Sequence, residues 1–183
     1  MSDLSRTPVG EPALEAERLL LRRLTQGDAT ALHRCTGDPE VMRYWFPGPD
    51  ADVAATEGRI AEIEEHWRRH GFGDFGVIER ETGTLVGFAG LHHIDGMAEV
   101  NVGYALVPGC WRRGLGAVLC RLLLTYGLAD LGLPEIVAVI DPRNSASLAL
   151  AERCGLGFRR QLTWQGRPRL LYAVTQTEFG GAS

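Results

Sequence analysis

Only four cysteines occur in the 183 residues, Cys35, Cys110, Cys120 and Cys154, far apart, with no CxxC pair and no histidine at zinc-finger spacing. A metal cluster therefore lacks its usual signature, and the four read as reduced thiols, mostly buried. No apolar run approaches the roughly 18 residues of a membrane span, and the opening MSDLSRTPVG has no apolar h-region, so neither a span nor a signal peptide is expected. The default compartment is the cytoplasm. Basic excess is missing too: the net charge is -4 and the cationic residues are scattered, which speaks against a nucleic-acid partner. No internal repeat or low-complexity segment interrupts the chain.

What is present is an ordinary globular composition, 45% hydrophobic and 23% charged, in a length that buries a core without disulfides or metals. Residues 1–13, with two prolines and a glycine, read as a flexible leader, and residues 14–178 as a single domain. Residues 18–24 are half alternating and predict a strand; Asp28 offers a cap for a helix through Thr36. Asp38-Pro39-Glu40 predicts a second helix start, ended by the aromatic loop Tyr44-Trp45-Phe46-Pro47-Gly48-Pro49. From 52 to 70, Val53, Ile60, Ile63 and Trp67 fall at helical spacing, with Gly71 as the stop. Residues 75–80, 84–92 and 99–106 then predict a three-strand antiparallel meander with turns at Glu81-Thr82-Gly83 and Asp95-Gly96. A long apolar helix over 116–131, a strand over 135–140, a helix running to Cys154 and a closing hairpin around Gly166 complete the pattern. The expected class is α+β, a mostly antiparallel sheet flanked by helices.

The most informative stretch is Leu106-Val107-Pro108-Gly109-Cys110-Trp111-Arg112-Arg113-Gly114-Leu115-Gly116-Ala117, between a predicted strand and the longest apolar helix. Its glycines let the backbone turn tightly, and the helix start presents unpaired N–H groups and the positive end of its dipole, an anion cradle. Arg112 and Arg113 add guanidinium forks suited to paired phosphates. A Walker loop would end in Gly-Lys-Ser/Thr, and a dinucleotide fingerprint needs a third glycine where Leu119 stands, so both fit poorly. An ordinary strand-to-helix turn with surface arginines stays open as the bland alternative.

The Arg-Arg-Gly-Leu-Gly-Ala loop, the preceding run Glu99 to Leu106 and the helix start Asn144-Ser145-Ala146-Ser147-Leu148 together resemble the general N-acetyltransferase (GNAT) superfamily. Glu17-Arg18-Leu19, Leu21-Arg22 and Asp38-Pro39-Glu40-Val41-Met42 resemble its RimJ/RimL-type branch, which acetylates N-termini of ribosomal proteins; the likeness covers residues 14–175. The superfamily's loop usually has Gln or Arg three residues before the first glycine, where this chain has Trp111, a residue common there in the RimJ/RimL-type branch. The resemblance implies a GNAT-like sheet splayed beside the loop and acetyl-CoA as cosubstrate, with no metal. It further implies that the amides from Arg112 to Ala117 hold the pyrophosphate and that a backbone N–H near Leu106 or Val107 holds the acetyl oxygen. The partner it implies is a primary amine, on a peptide N-terminus or a small molecule, with a homodimer as a family tendency.

Amide formation from a thioester needs an uncharged amine, a stabilised oxyanion and a proton for the departing thiolate. Asn144 and Ser147, three apart at a helix start, are candidates for delivering that proton, or are simply a cap and its first turn. Glu99, His92 and His93 are candidates to receive the amine's proton; each is also an ordinary surface type. His66 and His70 stand at i,i+4 without the H-E-x-x-H glutamate and read as surface residues. The Tyr44-Trp45-Phe46 loop reads either as a cover of the acceptor entrance, by resemblance, or as a hydrophobic plug of the core. The expected function is acetyl-CoA-dependent N-acetylation; a catalytically idle acyl-CoA-binding domain of the same fold is the alternative.

Overall fold

The computed structural model describes residues 13–181. Eight strands are hydrogen-bonded in the order β1-β2-β3-β4-β5-β6-β8-β7. They are β1 (Leu14–Glu15), β2 (Leu19–Arg23), β3 (Asp74–Glu79), β4 (Thr84–His93), β5 (Val100–Leu106), β6 (Glu135–Ile140), β7 (Gly157–Trp164) and β8 (Arg167–Thr175). Pairings β1–β2, β2–β3, β3–β4, β6–β8 and β7–β8 are antiparallel, and β5–β6 is parallel. This is the mostly antiparallel α+β sheet that the sequence pattern implies. The described chain divides into two compact units, residues 13–90 with 104–111, and 91–103 with 112–181, so β4 and β5 each pass from one unit into the other.

The first unit holds α1 (Ala29–Thr36) and α2 (Val53–His70). Asp28, expected to cap α1, makes no side-chain cap bond to it; its carboxylate instead closes a capping box with Thr25 on the 3-10 turn Gln26–Asp28 that leads into α1 and pairs with Arg22 at 2.7 Å, whereas Asp52 Oδ1 accepts from the Ala55 N–H at 2.9 Å. Gly71, with φ of 75°, stops α2 in the left-handed conformation. Thr56, Ile60, Ile63 and Trp67 form the buried stripe of α2, and Trp67 packs edge-on to Phe75 at 5.0 Å while donating Nε1–H to the Asp74 carbonyl. Val53, expected in that stripe, is only half-buried, because the first inward position belongs to Thr56, whose hydroxyl donates to Asp50 at 2.9 Å.

The helix expected from Pro39 does not form. Asp38 Oδ1 accepts from the Glu40 N–H at 2.8 Å, and this local turn leaves only a 3-10 segment, Val41–Tyr44, before the proline-rich loop. His66, expected on the surface, is half-buried, its Nδ1 bonded to the Phe72 carbonyl at 2.8 Å; His70 is exposed.

In the second unit, α3 (Leu115–Thr125) continues as a π turn (Tyr126–Asp130) rather than as α-helix to Leu131. The bare Cα of Gly127 lies against the sheet there: a Cβ on it would sit 2.4 Å from Ile136 Cδ1 and 2.7 Å from Leu91 Cδ1, and the widened turn accompanies that approach. α4 (Ser145–Arg153) follows β6, and the short α5 (Gln176–Gly180), which periodicity did not suggest, follows β8 with a Thr175–Glu178 capping box. Gln165 and Gly166, with φ of 50° and 68°, make the two-residue turn of the β7–β8 hairpin. Val137, Leu171 and Ala173 pack with Met97, Val139 and Leu162.

All four cysteines are buried and outside any disulfide. Cys120, kept protonated by its hydrogen bond to Cys154 and by burial, pulls the Cys154 thiol below its ordinary value against the effect of burial, helped by the charges of Arg121 and Arg153.

Gly87 of β4 shows how close the backbones come in the first unit, since a Cβ there would lie 2.0 Å from the Ala105 carbonyl oxygen. Gly87→Ala is expected to lower stability by about 2 kcal/mol or more, read from the urea midpoint, because neither clashing partner is a side chain that can swing away. An unchanged midpoint would mean that β4 and β5 do not approach this closely.

Candidate functional site

The loop after β5 begins in the first unit. Val107 donates its N–H to the Val86 carbonyl at 2.9 Å, a 3-10 turn spans Pro108–Cys110, and the Trp111 indole N–H donates to the Leu106 carbonyl at 2.7 Å. Trp111 thus ties the loop back to the strand it has just left. Backbone groups of successive strand residues point to opposite sides. With Val107 facing β4, Leu106 turns its N–H away from β4. The Val107 amide, one of two candidate donors for the acetyl oxygen, is therefore already occupied by the Val86 carbonyl.

In the second unit the chain turns through Arg112 and Gly114, both left-handed with φ of 58° and 78°, into α3. Gly114 is the N-cap, and a Cβ on it would meet nothing within 4 Å, so the space above the helix start is open. Leu115 is buried and anchors the first turn, whereas Arg112, Arg113 and Gly114 are exposed and Gly116 and Ala117 half-buried. Helix geometry leaves the first amides without partners inside the helix. Ala117 is the exception in the expected set, since its N–H donates to the Gly114 carbonyl at 3.1 Å. Of the set from Arg112 to Ala117, Ala117 is thus satisfied within the turn, while the amides of Gly114, Leu115 and Gly116 lie at the positive end of the helix dipole.

Asn144 caps α4: its Oδ1 accepts from the Ser147 N–H at 3.1 Å, so the oxygen serves the helix and only the NH₂ side of the amide is a donor. Ser147 is half-buried on the first turn. Asp141 holds the turn that delivers them. Its carboxylate, only 2% exposed, accepts from the Arg143 backbone N–H at 3.0 Å and from the Arg143 guanidinium at 2.9 and 2.8 Å. It also accepts from Arg169 Nη1 at 2.9 Å, a side chain 3% exposed. Hydrogen bonds from Arg143, reinforced by the charge of Arg169, hold the Asp141 carboxyl well below the usual carboxylate range despite its burial. Periodicity gave no sign of Arg169, which lies 28 residues from its partner.

Glu99 lies at a bend just before β5 instead of opening it, because pairing starts at Val100. Its Oε1 accepts from Arg160 at 3.2 Å, with Glu99 a quarter and Arg160 more than half exposed. His92 and His93 are both half-buried on β4, and the His92 Nε2 lies 3.1 Å from Asn101 Nδ2. Asn101 is 6% exposed, a buried polar residue in β5 whose place between Val100 and Val102 is the sequence signal of an internal hydrogen-bonding role.

The aromatic loop belongs to the first unit. Trp45 meets the buried Phe88 edge-on at 5.0 Å, Arg43 lies over the Tyr44 ring at 5.4 Å, and Phe46 stays 39% exposed. At its stem, Asp50 accepts bidentately from Arg59, at 2.6 Å in the shorter contact, and from Thr56. The loop is thus part plug, through Trp45, and part open aromatic surface, through Phe46.

Comparison with known proteins agrees with this geometry. The family model described as an acetyltransferase (GNAT) domain matches residues 18–157. The uncharacterized N-acetyltransferase YoaA of Bacillus subtilis is 30% identical over 158 residues, 84% of this chain and 89% of that protein. Spermidine N(1)-acetyltransferase of Escherichia coli is 25% identical over 149 residues, 80% of this chain and 77% of its own length. A crystal structure of an acetyltransferase from Agrobacterium tumefaciens superposes with a TM-score of 0.78 at 27% identity, over 93% of this chain and 98% of that one.

Removing the Asp141 charge leaves Arg169 buried without its counter-ion. Asp141→Asn is expected to lower unfolding free energy near neutral pH by about 3 kcal/mol in denaturant titrations. Because the native carboxyl is depressed below its unfolded value, the stability it supplies is present above the unfolded pKa near 4 and lost as pH falls. The gap between parent and variant should therefore narrow below about pH 4; a gap independent of pH would contradict the ion pair as its source.

Proposed function

The chain belongs to the GNAT family of acetyltransferases and is an N-acetyltransferase, and from that premise we propose that it transfers the acetyl group of acetyl-CoA to a primary amine. The observation that carries the reading is the amide-lined start of α3 behind left-handed Arg112 and Gly114, inside the family match. The pyrophosphate of the cosubstrate rests on the amides of Gly114, Leu115 and Gly116, with the exposed Arg112 and Arg113 supplying positive charge at its edge. The donor set suits that ligand: main-chain N–H groups approach closely where no side chain intervenes, and guanidinium neutralises the charge.

The uncharged amine attacks the thioester carbonyl, forming the C–N bond and an oxyanion held by the Leu106 N–H. Collapse of that intermediate breaks the C–S bond and releases CoA thiolate, whose pKa of roughly 8.5 by analogy with cysteine makes a modest donor sufficient to return it as thiol. Asn144, through its NH₂, and Ser147, through its hydroxyl, hydrogen-bond the departing thiolate, and the proton given up by the amine, relayed from Glu99 through Ser147 or water, turns it into the thiol. The proton lost by the amine passes to Glu99, through the carboxylate oxygen not engaged by Arg160 or through water. A net charge of -4 favours a cationic acceptor in the encounter. Two acceptor classes have support: a polyamine, from the spermidine enzyme's similarity, and a protein N-terminus, from the RimJ/RimL-type motifs.

Calorimetric titration with acetyl-CoA, run beside NADH and ATP, is expected to give one site per chain for acetyl-CoA alone, followed by thiol release with spermidine or with an unblocked peptide. The chain contains no lysine, so mass added to it during turnover reports only its own N-terminus or an O- or S-acetyl group and not a lysine side chain. Gly114→Val, which places a β-branched residue at a φ of 78°, should weaken acetyl-CoA binding roughly tenfold or more while the thermal transition is kept. Saturable NADH or ATP binding without acetyl-CoA binding would sink the proposal.

A further inference from the structure

The registered pairing of β5 with β6 covers only Val100↔Ile136 and Asn101↔Val137. Two residues farther along β6, the Val139 N–H donates to Asn101 Oδ1 at 2.9 Å. A backbone N–H has no lone pair, so the atom facing it must be the carboxamide oxygen, which fixes the orientation of the amide. Asn101 Nδ2 then faces His92 Nε2 at 3.1 Å. An amide NH₂ offers only hydrogens, so Nε2 must accept, and the single proton of the neutral ring sits on Nδ1.

We propose that Asn101 is a positioning residue whose one carboxamide both ends the β5–β6 ladder and holds His92 as the neutral Nδ1–H tautomer. The ladder stops because the Val139 donor, which would continue it, is satisfied by a side chain instead of by a carbonyl of β5. The same rigid plane consumes the only lone pair of His92. His92 is therefore not the group that accepts the amine's proton, although it shares β4 with other residues near the loop's origin; it is a strut that keeps the amide of Asn101 from rotating. Resting on the function proposed above, the consequence is that Asn101 sets where β5 becomes available to an extended ligand such as the pantetheine arm of acetyl-CoA.

The test combines two readouts on the full chain. Ring ¹⁵N correlation spectra of histidine-labelled protein, recorded above about pH 7.5, where histidine is neutral, should show His92 with Nδ1 protonated and Nε2 bare, the resonance being assigned by its loss in His92→Gln. Asn101→Asp keeps an acceptor for Val139 but removes the donor to His92, so it should move the His92 proton to Nε2 while acetyl-CoA affinity stays within about threefold. Asn101→Leu removes both bonds and should weaken acetyl-CoA binding by about tenfold or more, the loss of roughly one well-placed hydrogen bond. An Nε2–H tautomer in the parent, an unmoved tautomer in Asn101→Asp, or unaltered affinity in folded Asn101→Leu would each overturn the inference. Should Asn101→Leu not fold, the parent and Asn101→Asp spectra decide it. Parent protein that binds no acetyl-CoA would remove the functional reading, while the tautomer spectra would still support or overturn the role of Asn101.

Discussion

A backbone N–H buried in a protein must find an acceptor, and where those donors go organises the structure around β5, β6 and α3. In the first unit the Val107 N–H goes to Val86, which turns the Leu106 amide the other way. In the second, the Val139 N–H goes to the side chain of Asn101 and the sheet pairing stops, while the first amides of α3 have no partner within their own helix. The proposed cosubstrate, rich in acceptor oxygens, would answer at the start of α3 the requirement that the protein answers for itself elsewhere. Acyl transfer suits such a site because its demands are largely for donors directed at oxygen, and main-chain donors cost no side-chain entropy to position.

Buried charge imposes a second constraint. Asp141 and Arg169 are nearly inaccessible, and each is tolerable only because the other is present and Arg143 saturates the remaining acceptor sites. This cluster fixes the turn from β6 into α4 and hence the direction of Asn144 and Ser147. In the other unit, Asp50, Thr56 and Arg59 do the equivalent work at the stem of the aromatic loop, where burial pushes the Asp50 carboxyl up but the hydrogen bonds and charge of Arg59, with hydrogen bonds from Thr36 and Thr56, together hold it below its ordinary value. Both clusters fix loop geometry through partly or fully buried ion pairs.

Much was legible in the sequence. The cap at Asn144, the stop at Gly71, the hairpin around Gly166 and the glycine-rich entry into α3 all depend on a few consecutive residues, whose φ preferences and side-chain acceptors act locally. For the same reason the order of most strands along the chain and the tight glycine turn into α3 could be read from the sequence. What only the tertiary structure decided involves residues distant in sequence: the Asp141–Arg169 pair, the capture of Val139 by Asn101, the Val107–Val86 bond that removes one candidate donor, and the π turn where Gly127 meets Ile136 and Leu91. Local propensity cannot choose among these, because the partner of a polar group is set by which segments folding brings within about 3 Å of it, and a periodic pattern records only which face is buried.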